Sequence, residues 1–169
     1  ATRPERKNLE NLRRGQYEGL KAEIETDGSR APDVGPRRLG TAGATVIGAR
    51  APLIAYNVYL TTDDVSVAKK IAAAVRQSSG GLPCVKALGM EVEGRAQVSM
   101  NLTDYTRTSV ARAVETVRKE AVRHGVAIHH TQLVGLIPQA ALLDAALSYL
   151  QLEGFHPEQV LESRLLAAH

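Results

Sequence analysis

The sequence PCVKALGMEVEGRAQVSMNL, residues 83–102, predicts a β-hairpin near the middle of the chain. Residues 83–92 and 95–102 are strand-like runs joined at Glu93-Gly94. A short dipeptide of this kind, ending in glycine between two strand-like runs, is typical of a hairpin turn. The pattern therefore indicates two antiparallel strands that are adjacent in a sheet.

A helical pattern and one more strand lie on each side of the hairpin. The apolar run before the first helix has the pattern of a central strand covered on both faces around Ala55 and Tyr56. The resulting order is that of a split βαβ motif. We therefore predict an α/β (α+β) fold, a ferredoxin-like two-layer sandwich with a four-stranded, mainly antiparallel sheet and helices on one face. The predicted strands are residues 52–60, 83–92, 95–102 and 126–134, and the predicted helices between them are residues 63–77 and 106–123.

Short polar side chains mark the places where the two central helices begin. Asp63 or Asp64 can cap the first helix, and Thr106 or Thr108 can open the second, because such side chains accept hydrogen bonds from the first turn. Asp104 follows a strand and precedes a helix, and we interpret it as a helix cap as well.

The split βαβ motif leaves the second face of its sheet without helices. A large apolar sheet face is not left in water, so the C-terminal helices, another sheet or another subunit must cover it. Because only short helices remain, we expect a partner over at least part of this face, and a second copy of the chain would make a homodimer. The additional predicted helices are residues 4–14, 16–25 and 138–150 and a short helix from Pro157.

Composition excludes several classes of protein. The formal net charge is +3, and the basic residues do not alternate with aromatic ones, so no nucleic-acid partner is expected. No apolar run is long enough to cross a membrane. The one cysteine, Cys84, fits a reducing compartment such as the cytoplasm, and we interpret it as a core thiol. A chain that begins at Ala1 fits either the interior of a longer protein or removal of an initiator Met.

No spacing of Cys and His typical of a metal site is present, so no metal is predicted. His129 and His130 form the one pair of adjacent histidines. Adjacent side chains of a strand point to opposite faces, so these two histidines would not share a metal ion easily. A structural or surface role is favoured for both.

Three amide side chains, those of Asn57, Asn101 and Gln132, lie in the predicted apolar strands. A buried amide must be hydrogen-bonded, and either the backbone or a ligand would satisfy it. Lys86, in the second strand, is either a contact for an anion or a solvated lysine of an edge strand.

The segment APDVGPRRLGTAGATVIGARAPLIAYN, residues 31–57, contains four glycines, two prolines and the adjacent Arg37 and Arg38. A glycine-rich loop that carries fixed cations and leads into a strand suits an anionic ligand. A surface linker between domains has the same composition, so both interpretations stay open.

Five segments together resemble the formiminotransferase domain family: RRGQYEGL, APDVGP, GATVIGARAPLIAYNVYL, AQVSMNLTDY and TQLVGLIPQAALLDAA. Members of this family transfer the formimino group of N-formimino-L-glutamate to N5 of tetrahydrofolate, a step of histidine degradation. The resemblance implies two α/β subdomains whose sheets face each other across a folate-binding tunnel. It also implies that residues 1–52 are the tail of the N-terminal subdomain with its connecting loop, and that residues 53–169 are the C-terminal subdomain.

The resemblance further implies where tetrahydrofolate, the co-substrate, would bind. Asn57, Asn101 and Gln132 become speculative lining residues of the tunnel, and Arg37 and Arg38 become contacts for the folate carboxylates. The implied folate-binding loop consists of Gly35, Pro36, Arg37, Arg38, Leu39, Gly40, Thr41, Ala42 and Gly43.

The family's catalytic histidine belongs to a part of the N-terminal subdomain that these residues do not include. The chain is therefore expected to be a fragment that is inactive alone, with folate, formiminoglutamate and the missing N-terminal subdomain as its partners. Three alternatives stay open: a non-catalytic folate- or anion-binding module, a dimerising subdomain, and a glutamate formyltransferase acting on 5-formyltetrahydrofolate.

Overall fold

The computed structural model describes residues 3–167, and Ala1, Thr2, Ala168 and His169 lie outside that range. The chain divides into two units, the first ending at Arg50 and the second beginning at Ala51. The outer ends of the segments predicted as residues 1–52 and 53–169 fall on residues that are not described.

The first unit consists of short helices. Its elements are α1 (Leu9–Leu12), α2 (Gln16–Glu23) and two 3-10 turns, Pro4–Arg6 and Gly28–Arg30. The prediction of one helix over residues 4–14 is wrong. Oδ1 of Asn8 accepts the N–H of Glu10 at 3.1 Å and begins a new helix in the middle of that range.

Arg30 connects the elements of the first unit. Its Nε forms a 2.7 Å ion pair with Oε2 of Glu23. Its terminal nitrogens donate to the backbone carbonyls of Asn11, Leu12 and Arg14. Carbonyls at the end of a helix have no partner within the helix, so this guanidinium supplies what the short α1 lacks.

The second unit contains a four-stranded sheet in the order β2-β3-β1-β4, and each neighbouring pair is antiparallel. The predicted α/β fold is therefore confirmed. The strands are β1 (Ile54–Leu60), β2 (Val85–Val92), β3 (Arg95–Leu102) and β4 (Ile128–Val134). The helices are α3 (Val65–Val75), α4 (Val110–Arg123), α5 (Gln139–Leu150) and α6 (Leu161–Ala167).

The buried core lies between the sheet and the helices α3 and α4. Alternate strand residues, such as Val58, Val98 and Met100, are fully or almost fully buried in it. At Gly89 of β2 the helix α3 comes so close that an added Cβ would lie 2.2 Å from the backbone nitrogen of Lys69. Only glycine fits this contact between β2 and α3.

Asp64 and Ser109 begin the two helices of the core. Oδ1 of Asp64 accepts a backbone N–H of the first turn of α3 at 2.8 Å, as the sequence predicted for one of its two candidates. For α4 the prediction of Thr106 or Thr108 is wrong, because the side chain of Ser109 is the cap. Asp104 does not cap α4 either, since it closes its own turn by accepting from the N–H and hydroxyl of Thr106.

The helix α5 extends the helical layer. Ala141 of α5 belongs to the buried core, and the hydroxyl of Tyr149 donates a 2.9 Å hydrogen bond to Oε1 of Glu115 in α4. Because α5 packs on α4, it is not the cover that was considered for the second face of the sheet.

Candidate functional site

The face of the sheet opposite α3 and α4 carries side chains from all four strands. We call these residues the outer face, and eight of its twelve members are polar, so the expectation of a large apolar face is wrong. The central strand β1 is not apolar on both faces, because it places Asn57 and Tyr59 here. From β2 across to β4, the three rows are Lys86, Asn101, Ala55, Val134; then Leu88, Ser99, Asn57, Gln132; then Met90, Gln97, Tyr59, His130.

Asn57, Tyr59 and Gln132 form a hydrogen-bonded cluster on the outer face. Nδ2 of Asn57 donates to Oε1 of Gln132 at 3.2 Å, and the hydroxyl of Tyr59 donates to the same oxygen at 3.4 Å. With Oε1 engaged twice, the N–H groups of the Gln132 amide are the part that can bind another partner. Gln132 is exposed, so a ligand lying on the outer face would meet these donors.

His129 and His130 contact each other, and the prediction that they point to opposite faces is wrong. Their Nδ1 atoms lie 2.7 Å apart, and the imidazole of His130 stacks on the ring of Tyr59 with centroids 4.2 Å apart. The register of β4 against β1 shifts between Tyr59 and Leu60, and such a β-bulge reorients the side chains next to it. A hydrogen bond between two Nδ1 atoms requires a proton on one and a lone pair on the other.

The three amides predicted from the sequence lie on this same face. Asn57 and Gln132 are neighbours in one row, and Asn101 lies in the next row between Lys86 and Ala55. Their role as ligand contacts stays a prediction.

Gln97 is a polar residue of the outer face that the sequence analysis did not single out. It is 2% exposed, whereas Asn101 on the same strand is exposed. The strict alternation of β3, in which Ala96 and Val98 enter the core, places Gln97 on the opposite face. That alternation was the signal in the sequence that could have revealed it.

Cys84 is half-buried and lies outside the buried core, which corrects its interpretation as a core thiol. It precedes β2 in a left-handed backbone conformation with φ of 59°. Its N–H donates to Oε1 of Gln77 at 2.6 Å, and its carbonyl accepts the N–H of Thr103 at 2.8 Å. The backbone of Cys84 thus connects the residue after β3 to the turn that follows α3.

The loop predicted to bind folate, residues 35–43, ends in a tight turn of the first unit. The N–H of Gly43 donates to the carbonyl of Gly40 at 3.1 Å, and Gly43 has a φ of 73°. A Cβ added to Gly43 would lie 3.9 Å from the ring of Tyr17, so this ring packs beside the turn.

The two arginines of this loop have different surroundings. Nε of Arg37 donates to the carbonyl of Ile24, next to the last residue of α2, at 3.0 Å. Arg38 is exposed, and its side chain makes no hydrogen bond or ion pair within residues 3–167. Arg38 is therefore the cation of this loop that can meet an anion without breaking an existing contact.

Before this loop, hydrogen bonds from Ser29 hold the pKa of the Asp27 carboxyl below its ordinary value of 3.8.

Within residues 3–167, no three or more His, Cys, Asp or Glu side chains are arranged to hold a metal ion. In the same part of the chain, no helix combines the length and the apolar character needed to cross a membrane.

Comparison with known families matches both units. A model described as the formiminotransferase domain matches residues 55–163, and one described as its N-terminal subdomain matches residues 1–50. The chain belongs to the formiminotransferase domain family. The resemblance inferred from the five sequence segments is therefore confirmed.

Curated relatives of this formiminotransferase domain come from distant organisms. A glutamate formimidoyltransferase of Streptococcus pyogenes serotype M1 is 46% identical over 98% of the chain and 56% of its own length. One of Thermoplasma acidophilum is 46% identical over 98% of the chain and 55% of its own length. A formimidoyltransferase-cyclodeaminase of Rattus norvegicus is 37% identical over 90% of the chain and 30% of its own length. The chain thus spans about half the length of the two formimidoyltransferases.

Proposed function

We propose that this chain is part of a glutamate formimidoyltransferase. It would transfer the formimino group of N-formimino-L-glutamate to N5 of tetrahydrofolate, giving 5-formimidoyltetrahydrofolate and L-glutamate in histidine degradation. The observation that carries the proposal is the 46% identity, over 98% of the chain, to two proteins named glutamate formimidoyltransferase.

The outer face supports this proposal because it offers hydrogen-bonding groups suited to a polar heterocycle. Tetrahydrofolate would lie against the amides of Asn57, Asn101 and Gln132, with the N–H groups of Gln132, which make no hydrogen bond within the described chain, as donors. The charge of these amides is zero, so they favour the ring system of folate over its carboxylates.

The loop of residues 35–43 supports the proposal separately, through charge. Tetrahydrofolate carries carboxylates on its glutamate part, and an arginine binds a carboxylate through charge-assisted hydrogen bonds. Arg38 is exposed and uses its guanidinium for no other side-chain contact within the described chain. We therefore assign the carboxylate contact to Arg38, and a role in holding the loop to Arg37.

The reaction requires two substrates to be held together and one proton to be moved. N5 of tetrahydrofolate attacks the formimino carbon, and the bond from that carbon to the glutamate nitrogen then breaks. The proton lost by N5 ends on the departing amine. Holding both substrates on one surface lowers the entropic part of the barrier, and a general acid/base moves the proton. The residues of this chain would bind and orient, while the family's histidine, implied by the resemblance, would act from sequence beyond these residues.

Because this chain would bind the substrates and the catalytic histidine would lie outside it, its partner would be the rest of the N-terminal subdomain. Residues 1–52 would complete an N-terminal subdomain, and residues 53–169 would form the C-terminal subdomain of the transferase. The matched family models describe residues 1–50 and 55–163 in the same order. In a protein as long as these relatives, the remaining residues would provide the other side of the folate-binding tunnel.

An independent folate-binding module is the second candidate. It is favoured by the outer face, whose polar side chains could bind a ligand without further catalytic groups. Dimerisation through the outer face is less favourable, because exposed polar side chains such as Asn101 and Gln132 would lose water there and need new partners.

The test combines binding with reconstitution. Residues 1–169 are titrated with 5-formyltetrahydrofolate alone and together with the unmatched residues of the Streptococcus pyogenes relative, and the mixture is assayed for transfer from formiminoglutamate. Binding and turnover that appear in the mixture support the proposal. Binding by the chain alone, with no turnover in the mixture, favours the independent module. The absence of binding and turnover in both samples would overturn the proposal.

A further inference from the structure

Arg6 connects the beginning of the first unit to the segment that leads into the loop of residues 35–43. Its side chain is 10% exposed, and its Nη1 forms a 2.8 Å ion pair with Oδ1 of Asp33. Its Nη2 donates to the backbone carbonyls of Ser29 and Ala31. This one guanidinium therefore holds residues 29–33 in place.

The orientation of the Arg6 guanidinium is unfavourable for Arg6 itself. Within residues 3–167, its Nε is the buried side-chain nitrogen or oxygen atom that has no hydrogen-bond partner. A buried N–H without a partner has lost its water without compensation. The contacts that Nη1 and Nη2 make with residues 29–33 outweigh this loss, so these contacts determine where the guanidinium lies.

Asp33, the partner of Arg6 in the ion pair, is the acidic residue nearest to the loop in sequence. Between Asp27 and Asp63 the sequence contains no other Asp or Glu. The Asp33 side chain is 37% exposed, and Nε of a second arginine, Arg3, lies 3.6 Å from its Oδ1. Two arginines therefore neutralise a carboxylate that stands just before the loop.

A carboxylate released at this position would compete with an anionic ligand of the loop. Arg38 follows Asp33 by a few positions, is exposed and makes no hydrogen bond or ion pair within the described chain. A carboxylate of the protein and a carboxylate of a ligand form the same charge-assisted hydrogen bonds with a guanidinium. The protein's own carboxylate has the advantage, because a short segment tethers it to Arg38 at a high effective concentration. The ion pair with Arg6 removes this competitor.

We propose that Arg6 is a positioning residue for folate binding, which holds Asp33 in an ion pair and so keeps the guanidinium of Arg38 available to the folate carboxylates. The inference rests on the proposed function, in which Arg38 binds those carboxylates. It adds a residue outside the loop whose effect on binding passes through the charge of Asp33. Removing that charge should therefore make Arg6 dispensable for folate binding.

The experiment compares the wild type, Arg6→Gln, Asp33→Asn and the double variant, each in the reconstituted mixture that tests the proposed function. All four are titrated with 5-formyltetrahydrofolate at low and at high ionic strength. At low ionic strength we expect Arg6→Gln to bind about two- to fivefold more weakly, the range of an exposed ion pair, because the released Asp33 carboxylate occupies Arg38. The loss should shrink as salt screens the competing pair. The double variant should bind like the wild type, because the competing charge is gone.

Arg30→Gln is the matched control for the removal of a buried arginine. The Arg30 side chain is 13% exposed and also joins an acid, Glu23, to backbone carbonyls, but these partners lie before the Gly28–Arg30 turn. It should destabilise the first unit, and adding Asp33→Asn should leave its folate affinity unchanged. Thermal melting followed by circular dichroism shows which variants are folded.

Arg6→Lys keeps the test applicable if Arg6→Gln does not fold. A lysine retains a cation beside Asp33 but lacks the fork that also reaches the two carbonyls. Arg6→Lys should therefore bind 5-formyltetrahydrofolate like the wild type, and any affinity that it loses should return when Asp33→Asn is added.

The outcomes distinguish this inference from the proposed function. Equal affinity of the wild type and Arg6→Gln, or a loss in an Arg6 variant that Asp33→Asn does not restore, overturns the inference and leaves folate binding intact. Recovery of affinity by Asp33→Asn in Arg30→Gln as well would overturn it too, because the recovery would not depend on Arg6. No binding of 5-formyltetrahydrofolate by the wild-type mixture overturns folate binding itself, and the inference with it.

Discussion

Nδ2 of Asn57 lies 3.2 Å from Oε1 of Gln132 and joins the central strand β1 to the edge strand β4 across the outer face. The two residues are also direct partners in the antiparallel register. Because the hydroxyl of Tyr59 donates to the same oxygen, turning the Gln132 amide would break two hydrogen bonds. The protein therefore fixes the direction of the Gln132 N–H donors before any ligand arrives.

Replacing Asn57 should weaken folate binding by releasing Gln132. We expect Asn57→Ala to raise the Kd for 5-formyltetrahydrofolate about three- to tenfold, because a neutral hydrogen bond contributes about 0.5–1.5 kcal/mol. Gln132→Ala should cost at least as much, and the double variant should lose little more than Gln132→Ala alone. Isothermal titration calorimetry of the four proteins measures this coupling.

Asn101 provides the matched control for that cycle. It is an asparagine on the same face, but it lies in another row and two strands away from Gln132. The effects of Asn101→Ala and Gln132→Ala should therefore add. If the effects of Asn57→Ala and Gln132→Ala add in the same way, the positioning role of Asn57 is wrong.

Replacing Arg37 should affect the structure of the first unit, whereas replacing Arg38 should affect folate binding. Arg37→Ala removes the 3.0 Å hydrogen bond to the Ile24 carbonyl and should lower amide protection in α2 about fivefold, or about 1 kcal/mol. Arg38→Ala should leave that protection unchanged and weaken folate binding at low salt, with the effect decreasing as salt screens the charge. Hydrogen exchange by NMR measures the amide protection in α2, and titrations at two ionic strengths measure folate binding. Loss of protection in Arg38→Ala together with salt-dependent loss of binding in Arg37→Ala would refute these roles.

Local pattern was enough to predict most of the second unit. Glu93 and Gly94 both have positive φ, 52° and 73°, as a two-residue hairpin turn requires, and glycine at the second position made this turn visible in the sequence. The observed β3 coincides with the predicted residues 95–102. The contact between His129 and His130 was not predictable in the same way, because it depends on a bulge in the pairing with β1.

The candidate site was predictable as a set of residues and not as a set of contacts. Asn57 and Gln132 stood out because amides are unusual in apolar strands, but their bond joins residues 75 positions apart and depends on strand register. The alternation of Ala96 and Val98 into the core places Gln97 on the outer face, but its low exposure was not predictable, because Tyr59 and Met90 flank it from other strands. The contact of Arg37 with Ile24 likewise depends on how the chain folds back onto α2.

Gly89→Ala should destabilise the second unit. The added methyl would lie 2.2–2.5 Å from backbone atoms of Ala68 and Lys69, and backbone cannot rotate away as a side chain can. We expect a loss of about 1–3 kcal/mol in the free energy of unfolding, measured by urea denaturation. Gly48→Ala is the control, because no atom lies within 4 Å of an added Cβ there. Equal stability of the two variants would contradict the close packing of α3 on β2.

The contact between Tyr149 and Glu115 connects α5 to α4 in a pH-dependent way. Hydrogen bonds from Tyr149 and then Arg118 hold the pKa of Glu115 below its ordinary value of 4.5. This stabilisation is therefore complete above pH 4.5 and is lost as the pH falls through the pKa of the folded state. Burial, followed by the bond to Glu115, raises the pKa of Tyr149 above 10.0, so its contribution is complete below pH 10.0 and is lost at higher pH.

Tyr149→Phe should thus destabilise the chain most between pH 4.5 and pH 10.0, where Glu115 is charged and Tyr149 is protonated. Near pH 7 we expect a loss of about 0.5 kcal/mol in the free energy of unfolding, at the low end for a hydrogen bond because both groups are partly exposed. The difference from the wild type should shrink as the pH falls below 4.5, the ordinary value for Glu115, because protonation removes the charged acceptor. Urea denaturation from pH 3 to 8, in steps of about one unit, measures the difference. Tyr105→Phe is the control, since the Tyr105 hydroxyl makes no hydrogen bond within the described chain. A constant difference between wild type and Tyr149→Phe across this range would show that Glu115 is not its partner.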